Sequence, residues 1–243
     1  ILRDEGRMVY GRMKDGLLKA LKYTGKNIWG ITPKNLEQLF ALDLLLDDDV
    51  KLVSLVGQAG GGKTLLALAG GLYGVTDNPK YDKLMVSRPV MPLGKDVGFL
   101  PGTVEEKLSP YMAPIYDNLD VLLNDGKKKK GSKSAETLID QGILAVEPLT
   151  FIRGRSIPKN FFIIDESQNL TKHEMKTILT RAGEGTKIVL TGDPHQIDNP
   201  SLDSTSNGLS YVVERMKHYS IAGHVTLSKG ERSELATLAA EIL

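Results

Sequence analysis

Cysteine is absent from this sequence of 243 residues. Disulfides, thiolate zinc sites and a cysteine nucleophile are therefore excluded, and the composition fits a reducing compartment, here expected to be the cytoplasm. No apolar run reaches about 18 residues, so the sequence shows neither a candidate membrane span nor a signal peptide, and no membrane partner is expected. Basic and acidic residues nearly balance at a net charge of +1, so any binding to nucleic acid must come from local patches.

The rest of the composition is that of an ordinary globular chain, with 41% hydrophobic and 25% charged residues. Because the first residue is Ile1 rather than Met, we expect this sequence to be part of a longer protein that extends upstream of it. Residues 1–28 are rich in Lys and Arg and are interpreted as a connector, with a strand in VYGRM and a short helix in GLLKALK. Residues 29–243 are expected to form one domain.

Apolar runs and helical periodicities alternate along this second region. Strands are predicted at LVSLV, KLMVSRP, ILAVEPL, FFIID, KIVLTG and HVTLS. Helices are predicted over 33–46 with Pro33 in the first turn, over 65–74, over 103–123 with breaks at Pro110 and Pro114, from Thr171 to Arg181 with a Thr171–Glu174 capping box, within 204–219, and from Glu231 onward. This alternation predicts a single α/β domain with a mainly parallel sheet flanked by helices.

The stretch GQAGGGKTLL follows the strand LVSLV and holds more glycine than a packed core needs. Gly57, Gly62, Lys63 and Thr64 match the pattern G-x-x-x-x-G-K-[ST] of a phosphate-binding loop. Glycine lets backbone N–H groups approach phosphate oxygens, and the helix that begins at Gly62–Lys63 directs its positive end toward them. Lys63 is expected to reach the β- and γ-phosphates of a nucleotide, and Thr64 to offer its hydroxyl to Mg²⁺.

A buried strand, FFII, delivers the second half of the expected site, Asp165 and Glu166. Asp165 is predicted to bind Mg²⁺, and Glu166, which points elsewhere, to polarise the attacking water. This Asp-Glu pair is typical of motor-type ATPases, and the sequence contains no Asn-Lys-x-Asp guanine reader. We therefore expect ATP, rather than GTP, as the nucleotide.

A third segment, LTGDPHQID, follows the strand that begins at Lys187. This strand is expected to carry Thr191 to Asp193 and Gln196 to the same carboxyl edge of the sheet, where ligands bind in open α/β folds. Gln196 is predicted to hydrogen-bond the γ-phosphate or its water and so to sense hydrolysis.

Two residues upstream of the glycine loop are candidates for contact with the base. The Gln38 amide both donates and accepts hydrogen bonds, which matches the N6 and N7 positions of adenine. Trp29 is the only tryptophan, and the sequence leaves open whether it lies near the base or takes a core or interface role.

These motifs together resemble a known set. GQAGGGKT, DESQN, TGDPHQ and the upstream Gln38 resemble the motor core of superfamily 1 helicases. The longer strings SRPVMPLGKDVGFLPG, FIRGRSIP, DESQNLTKHEMKTILTRAGEGTKIVLTGDPHQID, SNGL and KGERSELA resemble the PhoH family, including its larger variant in which a PIN nuclease domain precedes the PhoH domain. The resemblance covers nearly all of 29–243 and implies a single RecA-like P-loop ATPase domain that uses ATP and Mg²⁺. It further implies hexameric rings and, in the fused variant, RNA unwinding coupled to RNA cleavage.

Carried onto this sequence, the resemblance implies the same roles for Asp165, Glu166 and Gln196. The nucleotide-binding residues that it implies are Gln38, Gly57, Gln58, Ala59, Gly60, Gly61, Gly62, Lys63, Thr64 and Leu65. Gly61 stands where Thr or Ser is common, and the Lys-rich segment 124–134 has no assigned family role. Residues 1–28 hold no PIN-type acidic cluster, so we expect no nuclease activity from this sequence itself.

Arginines complete the expected site. A single RecA-like core lacks a second motor domain, so a neighbouring subunit of a ring is expected to supply an arginine finger in trans. Arg232 and Arg181 are the candidates for phosphate or subunit-interface work, and Arg153 and Arg155 for the nucleic-acid path. Each of the four could instead be structural.

Three functions compete. The first is an ATP-driven motor core that works as a homo-oligomer and remodels RNA, which is expected to be single-stranded. The second is a nucleotide-gated regulatory module for an attached PIN-type nuclease domain, with little motor work. The third is a small-molecule kinase, against which Asp165, Glu166 and Gln196 argue. Stimulation of ATP turnover by RNA separates the first from the second, and transfer of phosphate to an acceptor other than water would favour the third.

Overall fold

The computed structural model describes residues 2–4, 7–14, 17–23, 25–90, 104–124, 134–152, 154, 156–228 and 230. The strands within these ranges are β1 (Leu2–Asp4), β2 (Arg7–Val9), β3 (Gly11–Lys14), β4 (Leu17–Ala20), β5 (Leu52–Gly57), β6 (Lys83–Ser87), β7 (Leu144–Val146), β8 (Asn160–Ile164), β9 (Lys187–Gly192) and β10 (Ala222–Leu227). The helices are α1 (Leu36–Leu46), α2 (Lys63–Val75), α3 (Val104–Asn124), α4 (Ala135–Asp140), α5 (Lys172–Leu179) and α6 (Gly208–Met216). The helix predicted from Glu231 and most of the Lys-rich segment lie outside the described residues.

The main sheet is parallel throughout and has the strand order β10-β5-β9-β8-β6-β7. β9 therefore lies between β5, which leads into the glycine loop, and β8, which leads into Asp165. Because the strands run in one direction, the segments that follow them meet at one edge of the sheet. The predicted single α/β domain, a RecA-like fold with a parallel sheet flanked by helices, is confirmed.

Apolar side chains cover both faces of this sheet. Along β8, Phe161 and Ile163 pack into the core beneath α1 and α2, and Phe162 and Ile164 pack into the second core beneath α5 and α6. All four are fully buried. A strand that is buried on both faces carries a continuous apolar run, which is why FFII is recognisable in the sequence.

Residues 17–20 form a strand, so the helix predicted in GLLKALK is wrong. β3 and β4 pair antiparallel, with Lys14 opposite Leu17, and only Asp15 and Gly16 connect them. The pairing of the two strands prevails over the helical spacing of the leucines, and the sequence signal that favoured it is Asp-Gly, a pair typical of hairpins. β1 and β2 form a second antiparallel hairpin.

Proline positions require two further corrections. α1 begins at Leu36, not at Pro33, because the Asn35 side chain caps the helix by accepting the Gln38 N–H at 2.9 Å. α3 runs unbroken through Pro110 and Pro114. Both prolines are exposed, so water can satisfy the carbonyls that they leave without a helical donor. The opposite face of α3 is anchored in the core by Met112, Ile115, Leu119 and Leu122.

The capping box predicted at the start of α5 is present, with Thr171 and Glu174 bonded reciprocally. α5 ends at Leu179, two residues before the predicted end, because the chain turns there toward β9.

The amino-terminal segment is held against the end of α1 by charge. Asp43 accepts the backbone N–H groups of Lys22 and Tyr23 at 2.7 and 3.0 Å. Asp47, whose side chain is fully buried, pairs with Arg12 and accepts from Lys22 Nζ at 2.5 Å. The predicted boundary between residues 28 and 29 stays a prediction, since these contacts show only that the two parts touch.

The fully buried Lys187 binds the carboxyl end of α1, next to the charge cluster formed by Arg12, Lys22, Asp43 and Asp47. Its ammonium donates to the carbonyl oxygens of Leu44, Leu45 and Asp47 at 2.9, 2.7 and 2.8 Å. These are carbonyls that a helix leaves without partners at its end, and the positive charge also suits the negative pole of the helix.

Candidate nucleotide site

The glycine loop connects β5 to α2 as predicted. α2 begins at Lys63, and Gly62 is its N-cap with a left-handed backbone at φ 83°. Gly57 and Gly60 also have positive φ, at 150° and 85°. Gly57 lies against β10, where an added Cβ atom would be only 2.1 Å from the carbonyl oxygen of Leu227. The loop therefore needs backbone conformations, and a close contact with β10, that side chains would obstruct. It leads directly into the amino end of α2.

Lys63 crosses this loop. Its ammonium donates to the carbonyl oxygens of Gly57 and Gln58 at 2.6 and 2.9 Å. These bonds hold the ammonium against the backbone of the loop, and the role predicted for Lys63 is phosphate binding. The role itself stays a prediction.

The two predicted magnesium ligands are brought together across 101 positions of sequence. The Thr64 hydroxyl donates to Asp165 Oδ1 at 2.7 Å. The Thr191 hydroxyl donates to the same oxygen at 2.5 Å, which fixes the carboxylate between β8 and β9. A hydroxyl and a carboxylate are hard oxygen ligands, and Mg²⁺ in nucleotide sites takes few ligands from the protein and the rest from water and phosphates. The donor set therefore fits Mg²⁺.

Glu166 occupies an unusual backbone conformation directly after this carboxylate. Its φ and ψ of 52° and 39° are left-handed, and it precedes a short 3₁₀ turn at Ser167–Asn169. Its Oε2 accepts from Gln168 Nε2 at 2.6 Å, and its Oε1 lies 3.6 Å from a terminal nitrogen of Arg88. Left-handed backbone in a residue with a side chain is strained and concentrates at functional sites.

Sequence reasoning missed Gln168 and Arg88. Gln168 is fully buried, and its amide accepts the Asp193 N–H at 3.1 Å and donates to the Gln196 carbonyl at 2.8 Å. It thereby connects DESQN to TGDPHQ. For Gln168, the signal in the sequence was a glutamine two residues after the predicted base, Glu166. For Arg88, it was an arginine just after a strand that ends at the same edge of the sheet.

Gln196 lies at the expected edge and is exposed. The contacts that place it are made by its backbone, which accepts from Gln168 and donates to the Asp193 carbonyl at 3.0 Å. Its contact with a γ-phosphate stays a prediction.

Gln38 is buried against the glycine loop. Its Oε1 accepts the Lys34 N–H at 2.8 Å, and its Nε2 lies 3.4 Å from the Gly61 carbonyl oxygen. Gln38 thus contacts the loop itself, and its predicted contact with adenine stays untested. Trp29 is half-buried and packs on the core cluster, and its indole N–H has no hydrogen-bond partner among the described residues.

Of the four candidate arginines, only Arg181 lies within the described residues, and its backbone is far from the glycine loop. Arg181 accepts the Ile157 N–H through its carbonyl at 3.0 Å, just before β8 begins, so its backbone lies at the edge of the sheet opposite to the glycine loop. Its side chain lines a groove of about 360 Å³ between α5 and residues 149–152. Arg153, Arg155 and Arg232 lie outside the described residues. The trans role of Arg181 and Arg232 therefore stays a prediction.

The strand order, the glycine loop and the Thr64–Asp165 pair define a P-loop nucleotide-binding protein of the RecA-like class. The chain belongs to the PhoH family, whose profile, described as PhoH-like protein, matches residues 30–242. The resemblance to the PhoH family found in the sequence is thus confirmed, and its PIN-fused variant stays a prediction.

Curated relatives agree with this assignment. The chain is 60% identical to Protein PhoH2 of Bacillus subtilis over 93% of this chain and 51% of that protein. It is 39% identical to Protein PhoH2 of Mycolicibacterium smegmatis over 96% of this chain and 52% of that protein. The chain spans about half the length of the curated relatives it matches. Among solved structures, the Pif1 helicase from Candida albicans superposes with a TM-score of 0.43 at 16% identity over 87% of this chain and 43% of that one.

No helix within the described residues combines the length and apolar character that crossing a bilayer requires.

Proposed function

We propose that this chain is an ATP-hydrolysing motor core that remodels single-stranded RNA. The observation that carries the proposal is the meeting of the Thr64 hydroxyl with the Asp165 carboxylate at the mouth of the glycine loop, with Glu166 next in the chain. Such a set serves phosphoryl transfer to water, because it positions the phosphates, holds a metal and places a base beside the nucleophile.

Each residue has a distinct task in this proposal. Lys63 exchanges its bonds to the Gly57 and Gln58 carbonyls for the β- and γ-phosphates. Thr64 and Asp165 hold Mg²⁺, which supplies positive charge to the phosphate oxygens when it is bound. Glu166 accepts a proton from the attacking water. Gln196 contacts the γ-phosphate, and Gln38 contacts the adenine while it braces the loop through Gly61.

The test compares Lys63→Ala with Glu166→Gln. Lys63 meets charge in the ground state and the transition state, so its loss should weaken ATP binding by about 10- to 150-fold, as expected for a charge-assisted hydrogen bond. Glu166 acts on the water alone, so Glu166→Gln should keep ATP affinity within about twofold and reduce turnover by about 10²- to 10⁴-fold.

Binding is measured by titration with a fluorescent ATP analogue and turnover by phosphate release, each with and without single-stranded RNA. Lys217→Ala and Glu214→Gln on the exposed end of α6 are the matched controls. Equal loss of ATP binding in the two site variants, or normal turnover in Glu166→Gln, contradicts the assignment of roles.

A second candidate is a nucleotide-gated module that controls an attached PIN-type nuclease domain. It is favoured by the position of α1, which contacts the glycine loop through Gln38 and the amino-terminal segment through Asp43 and the C-cap residue Asp47. Turnover that RNA does not stimulate would support this function over the first.

We further propose that the chain works as a closed homo-oligomer, most simply a hexameric ring, with ATP at subunit boundaries. The proposal is supported by the position of Arg181, which lies away from the glycine loop of its own chain. A heterologous contact that closes into a ring could complete each site with an arginine from the next subunit.

A further inference from the structure

Glu166 is held on both sides. Gln168 donates to one carboxylate oxygen at 2.6 Å, and the Arg88 guanidinium lies 3.6 Å from the other. A carboxylate that acts as a base needs an oxygen turned toward the water that it deprotonates. Here both oxygens face donors of the chain itself, so a water must compete with these donors for the carboxylate.

The two donors differ in how firmly they are fixed. Gln168 is fully buried and also bonds to the Asp193 N–H and the Gln196 carbonyl, so it cannot leave without breaking that network. The Arg88 side chain is 23% exposed and the Glu166 side chain 33% exposed, so a ligand can reach this ion pair. Arg88 is thus the exchangeable partner.

The sheet itself brings Arg88 to Glu166. β6 and β8 pair in register up to Ser87 and Ile164, and the Asp165 N–H donates to the Ser87 carbonyl at 2.8 Å. Arg88 and Glu166 are the residues just beyond this last backbone contact, at the open carboxyl edge. A planar guanidinium at such a place can bind a phosphate through two parallel hydrogen bonds. These bonds are stronger than its ion pair with Glu166, in which the nitrogen and oxygen are 3.6 Å apart.

We propose that Arg88 is a positioning residue that restrains Glu166, and that a phosphate of bound RNA takes Arg88 and releases Glu166 for hydrolysis. This inference rests on the proposed function. The freed carboxylate accepts a proton from water, whose oxygen bonds to the γ-phosphorus as the bond to the β–γ bridging oxygen breaks. The products are ADP and inorganic phosphate, and RNA binding thereby switches on ATP turnover.

The test is the effect of Arg88→Ala on turnover without RNA. A partly exposed ion pair shifts an equilibrium by about two- to fivefold, so the basal kcat should rise by about that factor while the KM for ATP stays unchanged. Stimulation by single-stranded RNA should fall by the same factor. Arg88→Lys, which keeps the charge, should restore most of the restraint, and Arg88→Gln repeats the test if the alanine variant fails to fold.

Arg215→Ala, on the exposed surface of α6, is the matched control and should behave as wild type. A fall in basal kcat in Arg88→Ala would mean that Arg88 assists the chemistry, and unchanged kcat and RNA stimulation would mean that it is only structural. Either result overturns the inference while leaving the proposed function intact. A wild-type protein that hydrolyses no ATP with or without RNA overturns both.

Discussion

Replacement of Gly57 by alanine tests whether the glycine loop depends on its close approach to β10. The ideal Cβ atom would be 2.1 Å from the Leu227 carbonyl oxygen and 2.9 Å from its carbonyl carbon. Gly57 pairs with Leu227 in the parallel ladder, so neither backbone can move without disturbing the sheet. The residue also has φ 150°, which side chains disfavour.

Two costs therefore add. Crowding in a packed region costs about 1–3 kcal/mol, and an unfavourable backbone conformation costs about another 1–3 kcal/mol. We expect Gly57→Ala to lower the free energy of unfolding by about 4 kcal/mol. The displaced loop should also weaken ATP binding, because the Gly57 carbonyl orients Lys63.

Gly142→Ala separates the two costs. Gly142 has φ 70°, and nothing lies within 4 Å of its ideal Cβ position, so only the backbone cost of about 1–2 kcal/mol applies. Urea denaturation of both variants gives the midpoints, and an unchanged slope shows that the midpoint shifts report stability. If Gly57→Ala is no less stable than Gly142→Ala, the close contact with Leu227 does not constrain the loop.

Two further predictions concern the charge cluster and the assembly. Burial alone raises the pKa of Asp47, but hydrogen bonds from Lys22 and Arg12 outweigh it and lower the pKa from 3.8 to about 2. The pKa of Asp47 is lower in the folded state than in the unfolded state. Asp47 therefore contributes about 2 kcal/mol to the free energy of unfolding above pH 4, and this contribution is lost as the pH falls through 2. The stability difference between wild type and Asp47→Asn should therefore shrink over this range in acid denaturation, and a constant difference would refute the pairing. For the proposed ring, loss of the arginine finger should lower the hydrolysis rate by about a thousandfold or more. Subunits with both Arg181→Ala and Arg232→Ala, mixed with Glu166→Gln subunits, should recover part of that rate. A mixture that stays inactive, or an active monomer, would rule out the trans arginine.

Local signals in the sequence were sufficient for several elements of the candidate nucleotide site. The run FFII predicts a strand buried on both faces, and the structure places β8 in the middle of the sheet. The pattern from Gly57 to Thr64 predicts a loop and a helix start, which fall where expected. Thr171 and Glu174 predict the cap of α5. Each of these signals acts within a few residues, so no tertiary context is needed to read it.

The hairpin and the proline-containing helix show where such signals conflict. In the sequence of residues 11–20 the Asp-Gly hairpin signal competes with helical spacing, and in α3 the prolines compete with a buried apolar face. The outcome in α3 depends on the free energy of packing its apolar face against the core, which a short window of sequence does not contain. In the hairpin the side chains of β4 are exposed, so the outcome there depends on the pairing of the two strands.

Tertiary structure decided the polar contacts that no sequence pattern predicted. The order of the strands places β9 between β5 and β8, and this brings Thr191 to Asp165. The pairing of β6 with β8 brings Arg88 to Glu166. Lys187 looks like the first residue of an ordinary strand, yet it lies fully buried because the carbonyls at the end of α1, about 140 positions earlier in the chain, accept its three hydrogens. Sequence patterns indicate which apolar residues are buried. A charged residue can be buried only where it finds hydrogen-bond partners, and those partners come together only when distant elements pack.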